Sequence, residues 1–118
     1  PTTGSELVVL GVFFKQAAKS TKTDFFQTWA RELKASQKAE PGTLVQIDAR
    51  KLLPPQTKWY RYEGSLTTKP YSEIVTWIVF PAPLAISSDD LKQLTKEAHQ
   101  PERAVQDINR RFVLRNFR

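Results

Sequence analysis

Two stretches of this chain, residues 7–14 and 74–80, carry apolar side chains at nearly every position. Successive residues of a β-strand point to opposite faces, so both faces of these strands are apolar, which is typical of strands covered on both sides. Gly11 inside the first stretch predicts the close approach of a neighbour. Together with Trp59–Tyr62, the two stretches predict a substantial mixed or antiparallel sheet, and residues 112–114 predict a last short strand.

A first helix is predicted over residues 23–38, because apolar side chains recur there every three to four positions. Thr23 or Asp24 can cap its N-terminus with a side-chain oxygen. The segment that follows, residues 41–58, predicts mostly loop, with one short apolar stretch at 44–47. The apolar stripe of the helix consists of Phe25, Phe26, Trp29 and Leu33.

A second helix is predicted to begin at Ser87, whose hydroxyl can accept from the unpaired amides of the first turn. Asp89 and Asp90 suit the positive end of the helix dipole. Ile86 and Leu91 flank the cap at the spacing of a hydrophobic staple. The buried stripe of this helix is predicted to be Leu91, Leu94 and Ala98.

Composition bounds the class of protein. The 118 residues correspond to the length of one domain, with 40% hydrophobic and 25% charged residues. No apolar run reaches the ~20 residues needed to span a membrane, and no signal peptide or nucleic-acid motif is visible. The net charge of +6 favours acidic partners. With no cysteine and one histidine, His99, the chain has no disulfide and no thiolate metal site, and His99 is interpreted as a surface residue.

The run Gly64–Thr68, followed by Pro70 and the strand Val75–Val79, closely resembles the active-site loop and strand of α-class carbonic anhydrases. Further segments resemble other parts of that family, in family order, over nearly the whole chain. These are Leu7–Phe14, Asp48–Pro54, Pro81–Pro83 with Ile86–Ser88, and Arg103–Arg111. The resemblance implies an α+β, predominantly β fold: a partial α-carbonic-anhydrase-like central sheet, mixed or antiparallel, with two flanking helices. Residues 1–118 would form a single, incomplete domain of this type.

The resemblance also implies a site. In the family, Thr67 corresponds to the threonine that orients the zinc-bound hydroxide, and Thr68 to a neighbour that contacts bicarbonate. The alternative interpretation makes both of them β-forming residues at the end of a strand. Positions that match the apolar carbon dioxide pocket are Val9, Leu66, Val75, Trp77 and Val79. The alternative for these five is that they are simply core residues, since burying each aliphatic side chain gives ~1.5–3 kcal/mol.

The metal ligands are the main departure from the family. Its three zinc histidines lie upstream of the segment with which this sequence begins, and one histidine cannot supply three ligands. The carboxylates Asp48, Glu63 and Glu73 lack metal-site spacing. We therefore expect no metal site and no cofactor in this chain alone, with zinc present only if a partner supplies the ligands.

The loop itself departs from the family at one position that changes its charge. The family's Pro-Pro is Lys69-Pro70 here, and its second proline is commonly cis, a geometry that Pro70 can preserve. Lys69 places a cation at the rim of the former pocket, where it is either solvated or available to an anion.

Three functions follow as hypotheses. The preferred one is a non-catalytic carbonic-anhydrase-like chain that acts as a structural subunit or interaction module. Its exposed sheet edges would be covered by another protein chain, either a second copy or a different polypeptide. The main alternative is the C-terminal part of a split or truncated zinc carbonic anhydrase, whose histidines come from another chain. The third is a basic module that binds an acidic polymer or surface. By resemblance, the chain is expected outside the cytosol, in a secreted, periplasmic or organelle-lumen setting.

Overall fold

The structure is a computed structural model, which describes residues 6–36, 38–40, 42, 44, 47–55, 58–97 and 102–118. The described residues form four strands, two α-helices and one short 3-10 helix. In chain order they are β1 (Leu7–Gln16), α1 (Thr23–Ser36), the 3-10 helix (Ala49–Leu52), β2 (Tyr60–Gly64), β3 (Val75–Ile86), α2 (Ser88–Glu97) and β4 (Leu114–Arg115). None of the described helices is long and apolar enough to cross a membrane.

The four strands form one sheet in the order β1-β3-β2-β4. β2 runs antiparallel to β3, with Gly64 opposite Val75, and it is also antiparallel to β4. β1 and β3 run parallel, because the Leu7 amide donates to Ile74 at one end and Ala17 donates to Ile86 at the other, both at 2.9 Å. The sheet is therefore mixed, and the predicted α+β class with a mixed sheet and two helices is confirmed.

The chain divides into two compact units. The sheet unit comprises Pro1–Phe13, Pro55–Ala82 and Gln100–Arg118, and the helix unit comprises Phe14–Pro54 and Pro83–His99. β1 and β3 each contribute residues to both units.

The helix unit is built around an aromatic and aliphatic cluster. Phe25, Phe26 and Ile86 are its buried members, and Phe26 meets Phe25 edge to face at 5.5 Å. Burial of such side chains is the main stabilising contribution in a unit of this size. The predicted stripe of α1 is confirmed at Phe25, Phe26 and Trp29, and that of α2 at its two leucines. Packed against the buried members are Phe14, Trp29, Ile47, Leu52, Leu91 and Leu94.

The N-terminus of α2 is capped as predicted. The Ser87 hydroxyl accepts from the Asp90 amide at 3.2 Å, and it donates to the Asp90 carboxylate at 2.8 Å. Ser20 adds a second link, since its hydroxyl donates to Asp90 and accepts from the Ser87 amide. One carboxylate thus ties the helix start to the segment that precedes α1.

The sheet unit confirms one prediction about β1 and departs from another. A Cβ atom at Gly11 would lie 3.2 Å from a methyl group of Val79, which is the predicted close approach. However, β1 stands first in the strand order, and among the described residues its outer edge has no strand partner. Val8 is 66% exposed and Leu10 is also exposed, so β1 is not covered on both sides within the described residues.

Two further elements differ from the sequence prediction. β3 continues through Pro81 and Pro83 to Ile86, six residues beyond the predicted stretch 74–80. Proline lacks the backbone amide that a strand residue donates to its neighbour. Pro81 and Pro83 are tolerated because β2 pairs with β3 only as far as Val79, so neither proline lies opposite β2. The last strand is β4, which shares only Leu114 with the predicted stretch 112–114. Parts of the prediction that lie outside the described residues are Ala98, His99, Val45 and Gln46, together with the side chain of Leu33.

Candidate functional site

The loop that links β2 to β3 carries the two threonines of the predicted site. Thr67 and Thr68 are both exposed. The loop is folded by backbone hydrogen bonds: the Leu66 amide donates to Ser72 at 3.0 Å, and the Tyr71 amide donates to Thr68 at 2.9 Å. These bonds give the threonine segment a defined turn instead of an extended connection.

The loop contains two unusual backbone features. The Lys69–Pro70 peptide bond is cis, which agrees with the geometry expected for Pro70. Tyr71 has a φ angle of 62°, in the left-handed region that non-glycine residues seldom adopt. The Tyr71 ring lies against Arg103, whose guanidinium carbon is 4.1 Å from the ring centroid.

Arg103 anchors the loop from a distant part of the chain. Its Nη1 atom donates to the Ser65 hydroxyl at 2.8 Å and lies 3.4 Å from the Leu66 carbonyl. In the sequence, Arg103 is distinguished only as the first residue of the segment 103–111 that resembles the family. Nothing in the local pattern links it to residues that precede it by 38 positions.

An aromatic wall stands beside the loop. The rings of Trp77 and Tyr62 stack at 6.4 Å with an interplanar angle of 11°, and the Trp77 indole donates to the Ser65 carbonyl at 3.1 Å. Gly64 makes this possible, since a Cβ there would lie 3.0 Å from Trp77 and 3.2 Å from Tyr62.

The loop, the aromatic wall and the segment that begins at Arg103 line an open cavity of about 660 Å³ within the sheet unit. Of the predicted site residues, Thr67, Trp77 and Val79 line it together. The other four do not line it: Val75 is 1% exposed and belongs to the core, and Thr68, Val9 and Leu66 lie outside the lining. Lining residues that sequence analysis did not assign to the site include Phe13, Tyr60, Tyr62, Arg103, Val105 and Ile108.

The side chains present do not fit a zinc ion. Among the described residues, no three histidine, cysteine, aspartate or glutamate side chains are grouped as a metal site. The carboxylates near the loop are engaged elsewhere: Glu63 accepts from Thr76 at 2.8 Å and from Arg61 at 3.2 Å, and Glu73 pairs with Arg111 at 3.2 Å. The whole sequence has one histidine, His99, which lies outside the described residues.

Comparison with known proteins places this geometry in a family. The family model for eukaryotic-type carbonic anhydrases matches residues 2–118. A putative carbonic anhydrase 3 from Caenorhabditis elegans is 34% identical over 117 residues, covering 96% of this chain and 42% of the relative. A carbonic anhydrase from Klebsiella pneumoniae is 35% identical over 109 residues, covering 92% of this chain and 43% of the relative.

Solved structures give the same result. The α-carbonic anhydrase from Thermovibrio ammonificans, in complex with the inhibitor sulfanilamide, superposes with a TM-score of 0.64 and 39% identity. The match covers 90% of this chain and 46% of that one. The chain therefore spans somewhat less than half the length of the relatives it matches.

Proposed function

The chain belongs to the eukaryotic-type carbonic anhydrase family, and from this premise we propose that, taken alone, it is a non-catalytic member that works as a structural or interaction module. The observation that carries the proposal is that the chain has the wall of the family's pocket but lacks the histidines that would bind zinc. The threonine loop and apolar wall are kept, whereas the sequence holds one histidine. A catalytic zinc site needs three protein ligands and an open position.

The interaction part of the proposal is supported by β1. This strand stands at one end of the sheet, and the only charged residue within it is Lys15. Long apolar edge strands without charges pair readily with another strand, because their backbone donors and acceptors are free. We propose that another polypeptide covers this edge and the exposed side chains of Leu7, Val8 and Leu10.

The second candidate is an enzyme assembled from two pieces. It is favoured by the retention of Thr67 in an ordered loop, together with coverage of 42–46% of the relatives. In that case polypeptide outside these 118 residues supplies the zinc ligands, and this chain contributes the threonine loop and the pocket wall.

The deciding experiment is native mass spectrometry of the assembly isolated from its source, with zinc and carbon dioxide hydration measured on the same sample. The proposal predicts a homomer or heteromer without stoichiometric zinc and without hydration above the uncatalysed rate. The matched variant is Thr67→Val, which removes one hydroxyl and keeps the shape of the side chain.

A zinc-bearing heteromer whose hydration activity falls in Thr67→Val would overturn the non-catalytic proposal and establish the two-piece enzyme. Stoichiometric zinc on the 118-residue chain alone would contradict both candidates, because neither allows this chain to hold the metal.

A further inference from the structure

We propose that the cavity of the sheet unit binds a small molecule that carries a carboxylate on an apolar body, with Arg103 as the carboxylate-binding residue. This site requires no metal and stands independently of the proposed function. Its volume, about 660 Å³, falls within the ~300–1,000 Å³ range typical of small-molecule sites.

The first step is that Arg103 retains unused donors. A guanidinium has five N–H groups in a rigid fork. Both of its hydrogen bonds come from Nη1, to Ser65 and Leu66. Among the contacts of the described residues, Nε and Nη2 have no acceptor. These two atoms form one edge of the fork, which matches the two oxygens of a carboxylate.

The second step concerns charge. The acceptors that Arg103 does reach are neutral, and no carboxylate of the described residues lies within ion-pair distance of it. Arg111, on the same cavity, is different because it already pairs with Glu73 at 3.2 Å. Arg103 is partly buried, so its charge is less hydrated than that of a fully exposed arginine, and an anion in the cavity would compensate it.

The third step is that the guanidinium is held in place. Tyr71 stacks on it at 4.1 Å, and Ser65 fixes one nitrogen at 2.8 Å. A group fixed before binding loses little side-chain entropy when the ligand arrives, so more of the interaction energy is available as affinity.

The remaining walls define the body of the ligand. They present the stacked rings of Trp77 and Tyr62, together with Phe13, Val79 and Tyr60. Flat aromatic faces pack well against an aromatic or aliphatic body. An aromatic carboxylate therefore matches both the walls and the arginine.

The test uses the 118-residue chain with naphthoate and with naphthamide, its neutral counterpart of nearly the same shape. Titration is followed by calorimetry and by the NMR signal of the Trp77 indole, at a concentration where sedimentation gives a single species. Because a charge-assisted pair of hydrogen bonds discriminates strongly, we expect naphthoate to bind at least about tenfold more tightly than naphthamide.

Variants locate the effect. Arg103→Gln should remove the preference for the acid over the amide, and Arg103→Lys should keep part of it, since it retains the charge without the fork. Arg110→Gln is the matched control, because Arg110 does not line the cavity. Ala104 also lines the cavity, and in Ala104→Trp the larger side chain should block naphthoate binding while Arg103 itself is unchanged. This variant tests the site even if Arg103→Gln disturbs the loop.

Equal affinity for acid and amide would overturn the proposal, and so would an acid preference that is retained in Arg103→Gln. The absence of naphthoate binding up to about 10 mM would also overturn it, because this concentration is far above the Kd expected for a built site. Affinity that weakens as protein concentration rises would also overturn it, since the cavity would then be an interface between copies.

Discussion

Tyr71 combines two features of opposite energetic sign. Its left-handed backbone, with φ at 62°, costs a non-glycine residue roughly 1–2 kcal/mol. Its ring, stacked on Arg103 at 4.1 Å, returns about 0.5–1 kcal/mol in a partly exposed setting. The loop therefore keeps a side chain at a backbone position that would suit glycine.

Substitution at Tyr71 separates the two contributions. Tyr71→Ala keeps the backbone cost and loses the ring, so we expect the free energy of unfolding to fall by about 1 kcal/mol. Tyr71→Gly loses the ring but relieves the backbone, and it should be more stable than Tyr71→Ala by about 0.5–1 kcal/mol. Urea unfolding measures both variants. A Tyr71→Ala variant as stable as Tyr71→Gly would show that the left-handed backbone carries no cost here.

Asp48 provides a pH-dependent contact in the helix unit. Its carboxylate caps the 3-10 helix by accepting from the Arg50 amide at 3.1 Å, and it also accepts from the Arg50 side chain at 2.9 and 3.2 Å. The side-chain hydrogen bond from Arg50 holds the pKa of the Asp48 carboxyl below its ordinary value. A carboxyl with a lowered folded-state pKa stabilises the fold above its unfolded pKa, and the contribution disappears as the pH falls through the folded pKa.

Removing the Arg50 side chain tests this sign. In Arg50→Gln, the NMR titration midpoint of Asp48 should rise towards the ordinary carboxyl value. The stability difference between wild type and variant should be present at neutral pH and vanish in acid. An unchanged Asp48 midpoint would mean that the contact does not persist in solution, as exposed ion pairs often do not.

β2 and β3 depend on glycine at the end of their ladder. Gly64 lies opposite Val75, and a Cβ there would meet two rings that cannot both move, because they stack on each other and one is hydrogen-bonded to Ser65. Gly11 is a matched comparison, since its Cβ would meet only a Val79 methyl group at 3.2 Å.

We expect Gly64→Ala to lower the free energy of unfolding by about 1–3 kcal/mol, as overpacking typically does. The Trp77 indole NMR signal should shift with it. Gly11→Ala should cost less, because a methyl group yields more easily than a stacked indole. Equal costs in the two variants would contradict the assignment of the Tyr62–Trp77 stack as the rigid element.

The elements that were predicted correctly share a local cause. The stripes of α1 and α2 and the Ser87 cap depend on residues within a few positions of each other, and periodicity captures them. The predicted last strand overlaps β4 at Leu114 alone, because the position of β4 depends on a distant strand. Its register pairs Tyr60 with Arg115, and Phe117 packs edge to face on Tyr60 at 5.1 Å. No local pattern contains that information.

The candidate site divides in the same way. Of the seven residues predicted for the site, Thr67, Trp77 and Val79 line one cavity and the other four do not. Resemblance can bring such distant positions together because it carries spatial information that composition lacks. The role of Arg103 was missed, since its contacts join segments 37 and 38 residues apart. Local sequence patterns report the propensity of a segment, whereas contacts such as those of Arg103 depend on the tertiary fold.

Exposed apolar surface is unevenly distributed between the two units. Among the described residues, every exposed large hydrophobic side chain except Leu44 belongs to the sheet unit. Several lie on β1, whose outer edge has no strand partner among the described residues. Soluble monomers seldom leave such surface open, because it associates with whatever apolar surface it meets.

The proposed covering of β1 therefore predicts how the purified chain behaves without a partner. We expect concentration-dependent association in sedimentation velocity, and we expect Val8→Lys to shift the distribution towards monomer, since a lysine on an edge strand opposes strand pairing. Val8 is 66% exposed, so the substitution should change the free energy of unfolding by no more than about 0.5 kcal/mol.

Leu44→Lys is the control: Leu44 is 91% exposed but belongs to the helix unit, and its replacement should leave association unchanged. Equal suppression by both variants would indicate a general effect of added charge, whereas an effect confined to Val8 would locate the associating surface on β1.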